Sequence, residues 1–158
     1  MTAREADRAS APATITIRAL RTEDVEACTA IFARAWRAGH PHRPRWIDRV
    51  IFERETFGEA VLVAVDPDQG PVGFVGIYRA DRFVHHLYVD PDRHGQGIGR
   101  ALLDAALGLL GGTASLKCQC ANEKALAFYA RLGWTEGEVG ESENGLWVRL
   151  LSPPPAKG

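Results

Sequence analysis

Neither sign of charge predominates in this chain of 158 residues, where 19 Lys and Arg stand against 20 Asp and Glu for a formal net charge of −1. Without a basic excess there is no field to hold nucleic acid or an anionic membrane surface, so neither is expected as a partner. Cysteine is scarce. Three residues, Cys28, Cys118 and Cys120, cannot pair completely, and no ligand set stands at metal spacing, so neither a disulfide framework nor a metal centre is expected. Cys118 and Cys120 fall on one face of a predicted strand and read as buried thiols in a reducing compartment. No apolar run reaches membrane length, and residues 1–12 are charged and alanine-rich where a secretory leader would be apolar. A cytoplasmic protein is expected. Internal repeats are lacking too. The length suits one domain over residues 14–151, flanked by mobile tails at 1–13 and 152–158.

The chain does contain one stretch around which the rest is organised, Phe83 to Leu103, reading FVHHLYVDPDRHGQGIGRALL. Its first seven residues carry β-branched and aromatic side chains and predict a strand that stops at Asp90-Pro91-Asp92. Gly95, Gly97 and Gly99 follow, so no side chain blocks an approaching ligand and three positions take positive φ cheaply. From Gly97 on, Ile98, Leu102, Ala105 and Leu109 recur at helical spacing. Strand, glycine turn and helix start together describe an anion cradle, because unpaired N–H donors and the helix dipole both favour negative charge there. A dinucleotide fingerprint is excluded: Arg100 or Leu102 stands where its last glycine belongs. A P-loop is excluded as well, since no Lys-Ser or Lys-Thr follows these glycines.

The run His94-Gly95-Gln96-Gly97-Ile98-Gly99 resembles motif A of the GNAT superfamily of acyl-CoA-dependent N-acyltransferases, with His94 where Gln or Arg is usual. The run from Asn122 through Ala125, Phe128, Tyr129 and Gly133 to Trp134 is similar to that superfamily's motif B. The resemblance implies a mixed α/β fold: a central, mostly antiparallel sheet of about seven strands, splayed at the fourth, with helices on both faces. It implies acetyl-CoA as the acyl donor and an amine of a small molecule or peptide as the acceptor. It further implies that backbone groups of Leu87, Tyr88 and Val89 face the pantetheine arm. The diphosphate would fall on the amides from Gly95 through Gln96, Gly97, Ile98 and Gly99 to Arg100, with Arg93, His94 and Arg100 nearby. Homodimers are common in the family, which leaves a second copy of the chain among the expected partners.

The remaining segments read as β-α-α-β-β-β-α-β-α-β-β. A first strand covers Thr14 to Arg18, and a helix follows Thr22 with Val25, Cys28, Ile31 and Phe32 on one face. Beyond the break at Pro41 and Pro44, Trp46, Ile47, Val50, Ile51 and Phe57 suggest a second helix. The resemblance sets this helix pair beside the acceptor, making Trp36, His40, His42, Arg43 and Trp46 candidate substrate contacts or, alternatively, core and loop residues. Ala60–Val65 and Val72–Arg79 form a predicted hairpin, Thr113–Gln119 a strand, Asn122–Leu132 a helix, and 134–138 with 145–151 a final strand pair.

Attack of an amine on a thioester needs a neutral nucleophile, donors to the developing oxyanion and a proton for the departing thiolate. Tyr129 matches the family's general acid, and a phenol is protonated at neutral pH. Asn122, two turns earlier on the same helix face, would contact the cofactor arm, cap the helix, or do both. His85 is the preferred base, since some members of the family carry one at that position. His86, a water chain or a carboxylate elsewhere are the alternatives, and period 2 sets the two histidines on opposite faces. Glu136, Glu138, Glu141 and Glu143 would either line the mouth and favour a cationic amine or form a solvated loop. Neither motif holds a cysteine, so direct transfer in a ternary complex is expected in preference to an acyl-enzyme on Cys118. O-acyl or longer-chain transfer and a non-catalytic acyl-CoA sensor are the rival functions.

Overall fold

The computed structural model describes residues 14–155, and the expected tail at 1–13 lies outside them. Seven strands form one sheet in the order β1-β2-β3-β4-β5-β7-β6. In chain order these are β1 (Thr16–Ala19), β2 (Ala60–Asp66), β3 (Gly70–Tyr78), β4 (Phe83–Val89), β5 (Ser115–Gln119), β6 (Thr135–Ser142) and β7 (Gly145–Leu151). The helices are α1 (Val25–Gly39), α2 (Arg49–Glu55), α3 (Ile98–Leu109) and α4 (Glu123–Arg131). All strand pairs are antiparallel except β4 with β5.

Alternation along the central strands divides the core between two faces. Val61 and Val63 of β2 and Phe74 of β3 pack with Phe32 of α1 and Phe52 of α2. Ala64 of β2 and Val75 of β3 pack with Ile98, Leu102 and Leu103 of α3. This is the period-2 rule at work, with one helix pair covering each face. Gly73 lets α3 come close: a Cβ there would stand 3.0 Å from the Tyr88 carbonyl and 3.2 Å from Leu102 Cδ1.

Two local expectations change. The second helix begins only at Arg49, leaving Trp46 and Phe57 outside it and largely exposed, while Phe52, which the spacing had not singled out, is its buried residue. Residues 152–155 also stay docked to the domain, and the rest of the expected tail, 156–158, lies outside the described residues. Ser152 donates its N–H to the Ala114 carbonyl at 3.0 Å and accepts from Ala114 N at 2.9 Å. Pro155 lies where a Cβ on Gly112 would stand.

Candidate active site

β4 pairs with β5 only at Phe83↔Ser115 and Val84↔Leu116. Beyond that point β4 stays with β3 as far as Val89, β5 stays with β7 as far as Gln119, and the sheet opens between them. The split begins at a β-bulge. Gly76 pairs with His86 and Ile77 with Val84, so His85 is an extra residue on β4. A bulge re-aims side chains, and here it overturns the expectation that His85 and His86 point to opposite faces. Their ring centroids lie 4.0 Å apart, and both rings turn to the same carboxylate, that of Glu59.

Glu59 precedes β2, and its side chain is fully buried. His85 Nδ1 lies 2.7 Å from Oε1, and His86 Nδ1 lies 3.2 and 3.1 Å from Oε1 and Oε2. Burial alone would push this carboxyl up. The hydrogen bonds from the two histidines outweigh it and hold the group below the ordinary glutamate range. Gly76 makes the room, because a Cβ there would stand 2.8 Å from Glu59 Oε2. On its far side His86 Nε2 lies 3.7 Å from Glu55 Oε1, and Glu55 is paired with Arg45. Glu59, His85 and His86 bring their donor atoms within 4.8 Å of one another, a carboxylate and imidazole set of the kind zinc accepts. Two ligands of a tetrahedral zinc stand about 3.3 Å apart for bonds of about 2.0–2.1 Å. The 2.7 Å separation is a hydrogen-bond length.

A cavity of about 360 Å³ fills the split. His85, His86, Leu87 and Tyr88 line it from β4, Cys118 from β5, and Asn122 and Tyr129 from α4. Trp36, His40 and Arg43 complete the wall on the α1 side, whereas His42 and Trp46 lie outside the lining. Burial pushes the Tyr129 phenol far up, helped by nearby Cys118 and Tyr88, so the group holds its proton throughout the neutral range. Burial also pushes the Tyr88 phenol up to about 12, and its ring stacks on Phe32 at 4.7 Å. Asn122 is an N-cap, accepting from Ala125 N at 3.1 Å, while it also borders the cavity. Cys118 is a poor nucleophile, since burial and then Cys120 push its thiol up to about 11.

The glycine turn lies beside this split, at the start of α3. Gly95 and Gly97 have φ of +78° and +79°, with nothing within 4 Å of where a Cβ would stand. Gly97 is the N-cap of α3, and no side chain caps the first turn. Exposed, uncapped N–H groups at a helix N-terminus fit a diphosphate. Gly99 departs from the expectation of positive φ at all three glycines. It is a helical residue, and a Cβ there would stand 3.2 Å from Phe128 Cζ, so glycine at 99 lets α4 pack against α3. Arg93, expected beside the diphosphate, is held by Asp66 at 3.0 Å, Gln69 at 3.0 Å and Gln96 at 2.8 Å, where it braces the β2–β3 turn. The ring of His94 is exposed, with Nε2 3.2 Å from the Val89 carbonyl, and Arg100 is exposed beside Asp104.

The four glutamates do not reach the cavity. All are exposed on β6 or its turn, and Glu138 is paired with Arg149 at 2.7 Å. The charges that do line the cavity are Arg43, Arg45, Lys117 and Glu55. Arg45, Lys117, Glu55 and Glu59 were not legible in the sequence. Glu59 lies 26 residues from His85 in a turn without a motif, and only the fold joins them.

A family model described as acetyltransferase (GNAT) family matches residues 25–134. The chain is 35% identical over 127 residues to the peptidyl-lysine N-acetyltransferase YjaB of Escherichia coli, covering 76% of this chain and 82% of that protein. It is 27% identical over 157 residues to the uncharacterized N-acetyltransferase MJ1207 of Methanocaldococcus jannaschii, covering 87% of this chain and 66% of that one. The solution structure of apo-form YjaB from Escherichia coli aligns with a TM-score of 0.71 at 26% identity, covering 89% of this chain and 99% of that one.

Proposed function

The chain belongs to the GNAT family of acetyltransferases, and from that premise we propose that it moves an acetyl group from acetyl-CoA to a primary amine of a small molecule or peptide by direct attack in a ternary complex. One observation carries this reading. The split between β4 and β5 is lined from one side by His85 and from the other by Tyr129, so a proton acceptor and a proton donor border the same cavity.

In this reading the donor's diphosphate rests on the N–H groups from Gly95 to Arg100, and its thioester lies along Leu87, Tyr88 and Val89, where β4 has no β5 partner. Backbone donors there stabilise negative charge on the thioester oxygen. His85 takes a proton from the incoming ammonium, directly or through water, which leaves the amine neutral. Tyr129 returns a proton to the departing sulfur, a task suited to a phenol that burial keeps protonated. Asn122 fixes the start of α4 and thereby the place of Tyr129 two turns on. A cytoplasmic location accompanies this reading, supported by three unpaired thiols. Among the described residues no helix is long and apolar enough to cross a membrane.

Purified protein incubated with acetyl-CoA and a panel of amines, amino acids and peptides should release free thiol in step with acetylation of at least one acceptor. Saturable acetyl-CoA binding without turnover on any acceptor would replace this reading with a sensor.

A further inference from the structure

We propose that Glu59 is the positioning residue of the acceptor side: its buried carboxylate holds His85 in the tautomer with hydrogen on Nδ1, so that Nε2 is the bare nitrogen presented to the amine. The inference rests on the reading of His85 as the proton acceptor.

An ionised carboxylate only accepts hydrogen bonds, so a ring nitrogen 2.7 Å from it must carry the hydrogen. A neutral imidazole has one such N–H, and the remaining nitrogen keeps its lone pair. His86 makes the same demand on the same carboxylate, and Glu59 therefore sets two rings at once. Three features of the fold fit this purpose. The bulge puts both rings on one side of β4. Gly76 leaves the volume that Glu59 fills. The carboxylate is sealed from water while His85 keeps more than a third of its side chain exposed. The groups facing His85 are the Tyr78 ring from β3 at 5.2 Å, Phe83 and His86 from β4, and Glu59 from the segment after α2. Behind His86 stand Glu55 and Arg45 of the α2 region, and Lys117 of β5 borders the same cavity.

The test is a long-range proton–nitrogen correlation spectrum of the full chain labelled with nitrogen-15, recorded at about pH 8.5, where an ordinary imidazole is neutral. His85 is expected to show a protonated Nδ1 and a bare Nε2. In the Glu59→Gln variant an amide NH2 must face a ring nitrogen that donates in the native chain, so the tautomer pattern should change. There kcat should fall about ten- to a hundredfold while KM for acetyl-CoA holds, as for a group acting only in the proton-transfer step. A native His85 protonated at Nε2 overturns the proposal, and so does a Glu59→Gln chain with native tautomers and native kcat. If that variant fails to fold, the native spectrum alone decides. Nδ1 protonation in a protein that acetylates no amine would remove the acceptor role of His85 and leave Glu59 as the group that sets its ring.

Discussion

On the α3 side of the cleft the polar groups presented are backbone N–H donors of Gly95, Gly97 and an uncapped helix start; on the α1 side they are side chains, with Glu59, His85 and His86 joined by hydrogen bonds. The first half is made by a contiguous turn of six residues. The second is made by a bulge, a missing Cβ at Gly76 and a carboxylate brought in from another strand's approach. A site built of backbone should tolerate side-chain changes and fail when its φ angles are disturbed. A site built of side chains should show the reverse. The two halves meet at Tyr129, whose side chain borders the same cavity as His85.

That meeting point gives the largest expected effect. Tyr129→Phe keeps the ring against Trp134 and Phe128 and removes only the proton donor. General acid catalysis contributes about 10²–10⁴-fold, so kcat should fall by that order while calorimetric affinity for CoA stays within about twofold. A variant with unchanged kcat would remove Tyr129 from the chemistry. Next comes the backbone half itself. Gly97→Ala puts a Cβ on a residue at φ +79°, at a cost of about 1–2 kcal/mol, and affinity for CoA should weaken about tenfold. His94→Ala, which alters only a side chain over the same turn, should leave that affinity within about twofold if backbone makes the cradle. Equal losses in both variants would erase the contrast between the halves.

The same contrast decides what could be read from the residues alone. Gly97 and Tyr129 each sit in a short contiguous pattern, so strand, turn and helix were legible, with β4 found at its observed bounds of Phe83–Val89. Glu59 was not legible, because what qualifies it is burial and two partners far along the chain, neither of which leaves a local trace. The histidine pair was half legible. Alternation is a sound guide to a regular strand, but a bulge is one residue long and changes every facing beyond it. Arg93 is a different case. Its position in the turn suggested a role toward phosphate, whereas Asp66 and Gln69 of the neighbouring turn already occupy its guanidinium.

The acceptor half depends on α1 for a wall, and α1 is itself tied down by an ion pair. Arg18 of β1 donates to both oxygens of Asp24 at 2.6 and 3.0 Å, and Arg21 N adds a third hydrogen bond at 2.8 Å. The hydrogen bond from Arg18 outweighs burial and holds the Asp24 carboxyl below the ordinary aspartate range. A depressed folded pKa gives stability that is complete above the unfolded value, about 3.9, and is lost as pH falls from there through the folded value. Asp24→Asn should therefore lower stability at neutral pH by about 1 kcal/mol and flatten the loss of Tm below about pH 4. An acid profile parallel to the native one would show that α1 is held by its apolar face alone.

The smallest effect concerns which acceptor the side-chain half prefers. Arg43 reaches across the mouth to the carbonyl and side chain of Asn144, partners that are neutral, and among the described residues no carboxylate pairs with it. Lys117 lies 4.3 Å over the Trp147 ring, also without a carboxylate partner among the described residues, while Arg45 is offset by Glu55. Two positive charges thus border the cavity, and none of the four glutamates of the β6 segment is among its lining residues. Such a field favours an amine that carries its own carboxylate over a polyamine. The charges are solvated and screened beyond about 8 Å at physiological salt, which limits the preference. Arg43→Gln should raise KM for a carboxylate-bearing amine about two- to threefold and lower it for a polyamine by a similar factor, with both shifts shrinking as salt is added. Equal KM changes for the two acceptor types, or changes indifferent to salt, would mean that Arg43 only ties the mouth to Asn144 and reads no charge.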